Sequence, residues 1–129
     1  MVAVRPLSAR TLLCAVSGEV DLSTAPRLRD RLLGQIGVAG SDLVVDLSEV
    51  GFLGAAGLTV LVEARAAAAA SGVGLHVVAR TRPVLRPMAV TGLDVVFDVF
   101  PRVDDVPSLG RLQLPPPAEV ERRCFRPGR

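Results

Sequence analysis

The run Leu43-Val44-Val45-Asp46-Leu47 constrains this chain most. It is apolar but for Asp46, and it does not alternate as a strand with one wet face would. A short, continuous apolar run reads as a central strand covered on both sides. The run leads into Gly54-Ala55-Ala56-Gly57-Leu58 and then into an alanine-rich stretch that stops at Ser71-Gly72. Val45 to Leu58 therefore reads as a buried strand, a short loop and the start of a helix. That helix is expected over Ala55 to Ser71. Leu58, Leu61 and Val62 supply its buried stripe, and Ala66 to Ala70 extend it with the best helix former.

The remaining elements fall on either side. Thr11 to Val16 reads as a strand, with Val2 to Leu7 a weaker partner for it, and Gly18 to Leu22 as its bent continuation or a turn. Ser23-Thr24-Ala25-Pro26 is a helix start, where Thr24 can cap free amides and Pro fits the first turn. Ala25, Leu28, Leu32 and Ile36 then recur at helical spacing, and the helix ends near Gly37 or Gly40. Gly74 to Ala79 is a further strand. Arg82-Pro83 opens a third helix that reaches Thr91-Gly92, with a kink or early break expected at Pro87. Val95 to Phe100 reads as the last strand, and Pro101 to Leu109 as a short final helix. The order is β-β-α-β-α-β-α-β, with that last helix appended. It implies an α/β fold with a mixed sheet of four or five strands and about four helices packed on it.

Composition bounds the function. The chain has 129 residues, half of them hydrophobic, which suits one domain with one core. That domain is expected over 1–109, followed by a Pro/Arg-rich disordered tail at 110–129, where Pro115-Pro116-Pro117 and scattered Arg cannot build a core. Residues 1–109 carry ten Arg against eleven acids, and the tail carries five Arg against two. The folded part thus offers no basic face for nucleic acid, and there is no Trp or Tyr to stack on bases. Arg122, Arg123 and Arg126 read as a solvated tail, with an acidic partner or membrane surface as the other reading. No apolar run reaches the roughly 20 residues that span a bilayer. No charged-then-apolar leader opens the chain, so the expected location is cytoplasmic, without membrane insertion. Cys14 and Cys124 make no disulfide framework, and no Cys/His cluster has metal-ligand spacing. No P-loop, paired carboxylates or Ser/His/Asp set points to an enzyme, and the lone His76 lies in an apolar strand. Neither a cofactor nor a metal is expected. Glu63 and Arg65 read as a solvated helix face that could also meet a partner.

Chemistry is left to the loop at Gly54-Ala55-Ala56. A helix opening there leaves amides unpaired and partly positive, so it could hold an anion, and small residues would admit a partner's backbone. A tight strand-to-helix turn needs the same small residues, and both readings stand. Asp21 likewise serves as a turn former or a contact, and Thr24 as a cap or a contact.

Three segments in order resemble the STAS domains of bacterial anti-sigma-factor antagonists. They are Gly18-Glu19-Val20-Asp21-Leu22-Ser23-Thr24-Ala25-Pro26, Leu43 to Leu58, and Val84 to Phe97 with its Thr91-Gly92-Leu93. The resemblance covers about residues 10–109. It implies the STAS fold and a regulator that works by binding a kinase-like ATPase anti-sigma factor, which then releases its sigma factor. It places the partner-binding face on Asp21, Ser23, Thr24, Gly54, Ala55, Ala56, Gly57, Leu58 and Thr59. In the family the helix usually opens Asp-Ser-Ser-Gly-Leu, and the kinase phosphorylates one serine to break the complex. Here Gly54 stands for the acid, and Ala55 and Ala56 stand at the serine positions, so neither can accept phosphate. The chain is therefore expected to escape that switch and to act constitutively or through its abundance. Other hydroxyls flank the site at Ser23, Thr24, Ser48 and Thr59, and Thr59 is expected to point elsewhere. Three rival readings stay open. One is a non-phosphorylatable STAS subunit or scaffold of a transporter or sensor complex. Another is a small nucleotide- or anion-binding module, and the third is a chain that has lost partner binding. A homodimer or other STAS proteins are further partners to consider.

Overall fold

The structure is a computed structural model and describes residues 2–39 and 41–106. Strand β1 (Val2–Ser8) pairs antiparallel with β2 (Thr11–Val20). From β2 onward every pairing is parallel: with β3 (Asp42–Leu53), then β4 (Leu75–Val78), then the two-residue β5 (Val99–Phe100). The five-stranded sheet has the order β1-β2-β3-β4-β5, so the chain winds steadily across it. Parallel neighbours need crossovers. Helices α1 (Ala25–Ala39), α2 (Ala55–Ala70) and α3 (Arg82–Thr91) supply them, with the short α4 (Leu93–Val96) added after α3.

One face of the sheet carries the helices. Leu28, Leu32 and Ile36 of α1, Leu58, Leu61 and Ala64 of α2, and Val84 and Met88 of α3 pack there on Cys14, Val45, Leu47 and Val77. The other face holds a smaller cluster of Leu13, Val44 and Val78 under Val106, with Leu7, Phe100 and Val103 at its rim. Val44 and Val45 are both 0% exposed, so β3 is covered on both sides, as its unbroken apolar run predicts. Each such side chain contributes about 1.5–3 kcal/mol by burial.

Several sequence expectations are corrected. Strand β3 runs on to Leu53 instead of giving way to a loop, and its parallel pairing with β2 continues through two register shifts to Val20↔Leu53. Of the kink or early break expected at Pro87, the early break does not occur, and α3 runs on to Thr91. An internal proline costs about 3 kcal/mol, but Val84 and Met88 are fully buried on either side of it and hold the helix to the sheet. Residues 95–100 do not form one strand. Gly92 ends α3 with φ +79, a conformation open to glycine, and the chain makes the turn of α4 before Phe97. Only Val99 and Phe100 reach the sheet. The expected final helix is a 3-10 turn at Val103–Asp105, and the rest of that expectation lies outside the described residues, as does the tail at 110–129.

Candidate functional site at the start of α2

Parallel strands β2 and β3 end together, so the loops that leave them are neighbours. The Gly54 amide donates to the Val20 carbonyl at 2.9 Å and ties the start of α2 to the end of β2. A single residue, Gly54, joins β3 to α2. Its φ of −89° and ψ of −179° are ordinary extended backbone. It brings no side-chain cap, so the first amides of α2 stay uncompensated by any side-chain oxygen.

Gly57 explains how α2 sits so low. A Cβ there would stand 2.6 Å from Val20 Cγ1 and 2.7 Å from Leu53 Cδ1. The missing side chain lets the first turn of α2 lie against the ends of β2 and β3. Gly57 and Leu58 are buried and therefore set the position of the helix. Ala55 and Thr59 are exposed, while Gly54 and Ala56 are half-buried. The expected partner-binding set thus splits into residues that face solvent and residues that hold them in place.

The other half of the site is the loop between β2 and α1. Asp21 Oδ1 accepts from the Ser23 and Thr24 amides at 3.0 and 3.1 Å, and from the Ser23 hydroxyl at 2.9 Å. The Ser23 hydroxyl, then the Thr24 amide, hold the Asp21 carboxyl below the usual range of its type. Thr24 does not cap α1 with its side chain. Its hydroxyl donates to the Glu19 carbonyl at 2.8 Å and accepts from the Asp21 amide at 2.9 Å. Its main-chain carbonyl instead receives the Arg27 and Leu28 amides. The loop is internally bonded, with Leu22 thrown outward at 84% exposure.

Between the first turns of α2 and the α3–α4 corner runs a shallow groove of about 310 Å³. Ala55, Leu58, Thr59, Val62, Thr91 and Leu93 line it, none of them charged. Val90, Val95 and Val96 are exposed along the same corner, Val95 at 85%. Val62 was expected in the core, yet it is 43% exposed, and Val60 takes its place inside. Thr59 was expected to point elsewhere, yet it shares the groove with Ala55 and donates to the Ala55 carbonyl at 3.1 Å. The sequence reading missed Leu22, Val90, Val95 and Val96. The only signal for them is an apolar residue in a turn or a helix end.

The other singled-out residues lie apart. Ser48 is half-buried, donates to Asp46 at 2.6 Å, and lines a separate polar cleft with Arg80, Arg102 and Asp104. His76 stands on β4 with its ring tilted 6.1 Å from that of Phe100. Glu63 pairs with Arg29 at 2.8 Å and links α2 to α1. Cys14 is a free, buried thiol, pushed up to about 11 by burial. Among the described residues no three His, Cys, Asp or Glu side chains group as a metal site, and no helix is long and apolar enough to cross a membrane.

The geometry is that of a sheet end where two loops and a helix start form one face, and the family model described as Mlab, STAS domain matches residues 6–100. The chain belongs to the STAS-domain family. The anti-sigma-F factor antagonist RsfB of Mycobacterium tuberculosis is 36% identical to it over 91 residues, covering 70% of this chain and 74% of that one. The crystal structure of an anti-sigma factor antagonist from Mycobacterium paratuberculosis matches with a TM-score of 0.73 and 36% identity, over 81% of this chain and 88% of that one. A putative anti-sigma factor antagonist from Thermotoga maritima also gives a TM-score of 0.73, over 81% of this chain and 89% of that one. Its identity is 15%, so it speaks to the fold alone. This STAS chain is thus a homologue of anti-sigma factor antagonists, with the mixed sheet and four helices that the resemblance implies.

Proposed function

We propose that this STAS protein binds a kinase-like anti-sigma factor and thereby frees a sigma factor, acting by binding and not by catalysis. The observation that carries the reading is the Gly54–Val20 hydrogen bond, which joins the loop at Asp21, Ser23 and Thr24 to the start of α2 as one face. The 36% identity to an anti-sigma-F factor antagonist supports the choice of partner. On that face Leu22, Ala55 and Thr59 are open to a partner, while Gly57 and Leu58 set the height of α2. Ala55 and Ala56 have no side-chain oxygen, so the two family serine positions cannot be phosphorylated. The working unit is residues 1–109 in the cytoplasm, with 110–129 as a basic appendage.

The test is affinity capture of the tagged chain from lysate of its host, with the captured proteins identified by mass spectrometry. A kinase-like anti-sigma factor that rebinds the chain when both are purified is the expected result. Stoichiometric capture of a transporter ATPase, with no anti-sigma factor, would assign the chain to a scaffold role instead.

A further inference from the structure

We infer that the polar cleft beside the 3-10 turn is a docking site for the chain's own C-terminal segment Glu119-Val120-Glu121-Arg122-Arg123, held there by ion pairs. The cleft lies on the sheet face away from the helices, so the inference stands apart from the proposed partner face.

The cleft has a volume of about 370 Å³. Its floor is built by a bulge in β3. Ala15 pairs with Asp46, but Ser17 pairs with Glu49, so β3 carries one residue more than β2 over that step. Leu47 and Val50, three apart, therefore both enter the core under the helices, and Ser48 and Glu49 are left to line the cleft. Asp46 joins them, two residues on from Val44 and on the same side of the strand. Arg80 comes from the end of β4, Arg102 from the end of β5, and Asp104 from the 3-10 turn.

Charges of both signs meet there without neutralising one another. Among the described residues the one ion pair is Arg29–Glu63, on the helical side. Arg80, Arg102, Glu49 and Asp104 thus line one cleft without a salt bridge among them. The occupant that fits brings two carboxylates and two cations together.

The chain carries such a segment and leads it out from the right place. Val106, the last described residue, is 2% exposed and packs on Leu13, Val44 and Val78, on the same sheet face as the cleft. Glu119 follows Val106 by 13 positions. That length spans up to about 43 Å at roughly 3.3 Å per residue, ample to return to Asp104, two residues before Val106. Glu119 and Glu121 are the only acids in 110–129, and Arg122 and Arg123 follow them directly. The two carboxylates match Arg80 and Arg102, and the two guanidiniums match Glu49 and Asp104. Guanidinium and carboxylate can pair through two parallel hydrogen bonds. Single exposed pairs are weak, so the docking depends on the four acting as a network.

The experiment uses the full chain with a nitroxide on Cys124, next to Arg123; Cys14 is buried and stays unlabelled. Amide NMR intensities are compared before and after the nitroxide is reduced. The expected result is that Arg80, Arg102, Val103 and Asp104 lose at least half their intensity while Arg29 and Asp30 on α1 keep theirs. The loss should vanish at about 1 M salt, where the screening length is about 3 Å. Arg122→Glu with Arg123→Glu should cut the loss at least twofold, and adding Glu49→Arg with Asp104→Arg should restore it. Equal losses on both faces of the sheet, losses at Thr59 and Thr91 instead, or losses indifferent to salt overturn the inference. Losses in an unlabelled chain mixed with the labelled one would give the cleft to a second copy's tail, and overturn it too.

Discussion

Replacing glycine by alanine inside a helix should have opposite signs at two positions of this protein. At Gly34, in α1, an added Cβ meets no atom within 4 Å. There the change removes the excess chain entropy of glycine and should stabilise by about 0.4–1 kcal/mol. At Gly57, in α2, the same Cβ stands 2.6 Å from Val20 Cγ1 and 2.7 Å from Leu53 Cδ1, both on buried residues at strand ends. Neither neighbour is the free end of a long, exposed side chain, so α2 or the strand ends must move. Overpacking of this kind costs about 1–3 kcal/mol, and the helix-propensity gain of up to about 1 kcal/mol offsets part of it. The net expectation for Gly57→Ala is a loss of about 1–2 kcal/mol from terms of that size. Urea unfolding followed by circular dichroism reads both variants, with an unchanged m-value as the sign that the unfolded state is not altered. If Gly57→Ala matched or exceeded wild type, as Gly34→Ala should, the close approach of α2 to β2 and β3 would be refuted. The placement of Ala55 and Thr59 above it would then fall too.

The uncapped start of α2 makes Gly54→Asp a gain of roughly 0.5 kcal/mol from the cap and the dipole. The ring of Phe52, 3.1 Å from the new Cβ, is half exposed and can swing aside, so a loss of stability on urea titration would show that it cannot. Leu22→Asp and Val95→Asp change side chains that are 84% and 85% exposed. Both should leave stability within about 0.5 kcal/mol and weaken the captured anti-sigma factor at least tenfold by calorimetry; unaltered affinity would remove these residues from the face. Burial raises the Cys14 thiol from 9.0 to about 11, so the fold favours its neutral form. That contribution is present below pH 9.0 and is lost as pH rises toward about 11. A Cys124→Ser chain should accordingly resist thiol labelling at pH 8 until denaturant is added, and fast labelling of the native protein would contradict the buried thiol.

How much of the site was legible depends on the element. The β2–α1 loop was well placed by Gly18 to Pro26, because Asp, Ser and Thr beside a helix start nearly always bond locally. Which hydroxyl bonds what was not readable: Thr24 turned back to Glu19 and Asp21 once the strand end offered a carbonyl. Helix α2 was found easily, yet its buried stripe was misread at Val62. Alanine and valine surround that helix, so its pattern barely distinguishes one face from another. The stripe of Gly57, Leu58, Val60, Leu61, Ala64 and Ala68 was set by contact with the sheet.

The amino-acid sequence alone determined the central strand at Leu43 to Leu47, the order of the elements, and the absence of any hydroxyl at positions 55 and 56. These follow from local chemistry: apolar runs, helix starts, and which atoms a side chain possesses. Only the tertiary structure decided that residues 93–96 coil beside α2 instead of extending, that Gly57 is a contact surface for Val20 and Leu53, and that Thr59 and Thr91 share one groove. The approach of Gly57 to Val20 and the sharing of a groove by Thr59 and Thr91 are meetings between residues more than 30 positions apart. Periodicity states which face of an element is apolar. What that face meets is settled by the parallel register of β2 and β3, which brings the two loops and α2 to the same end of the sheet.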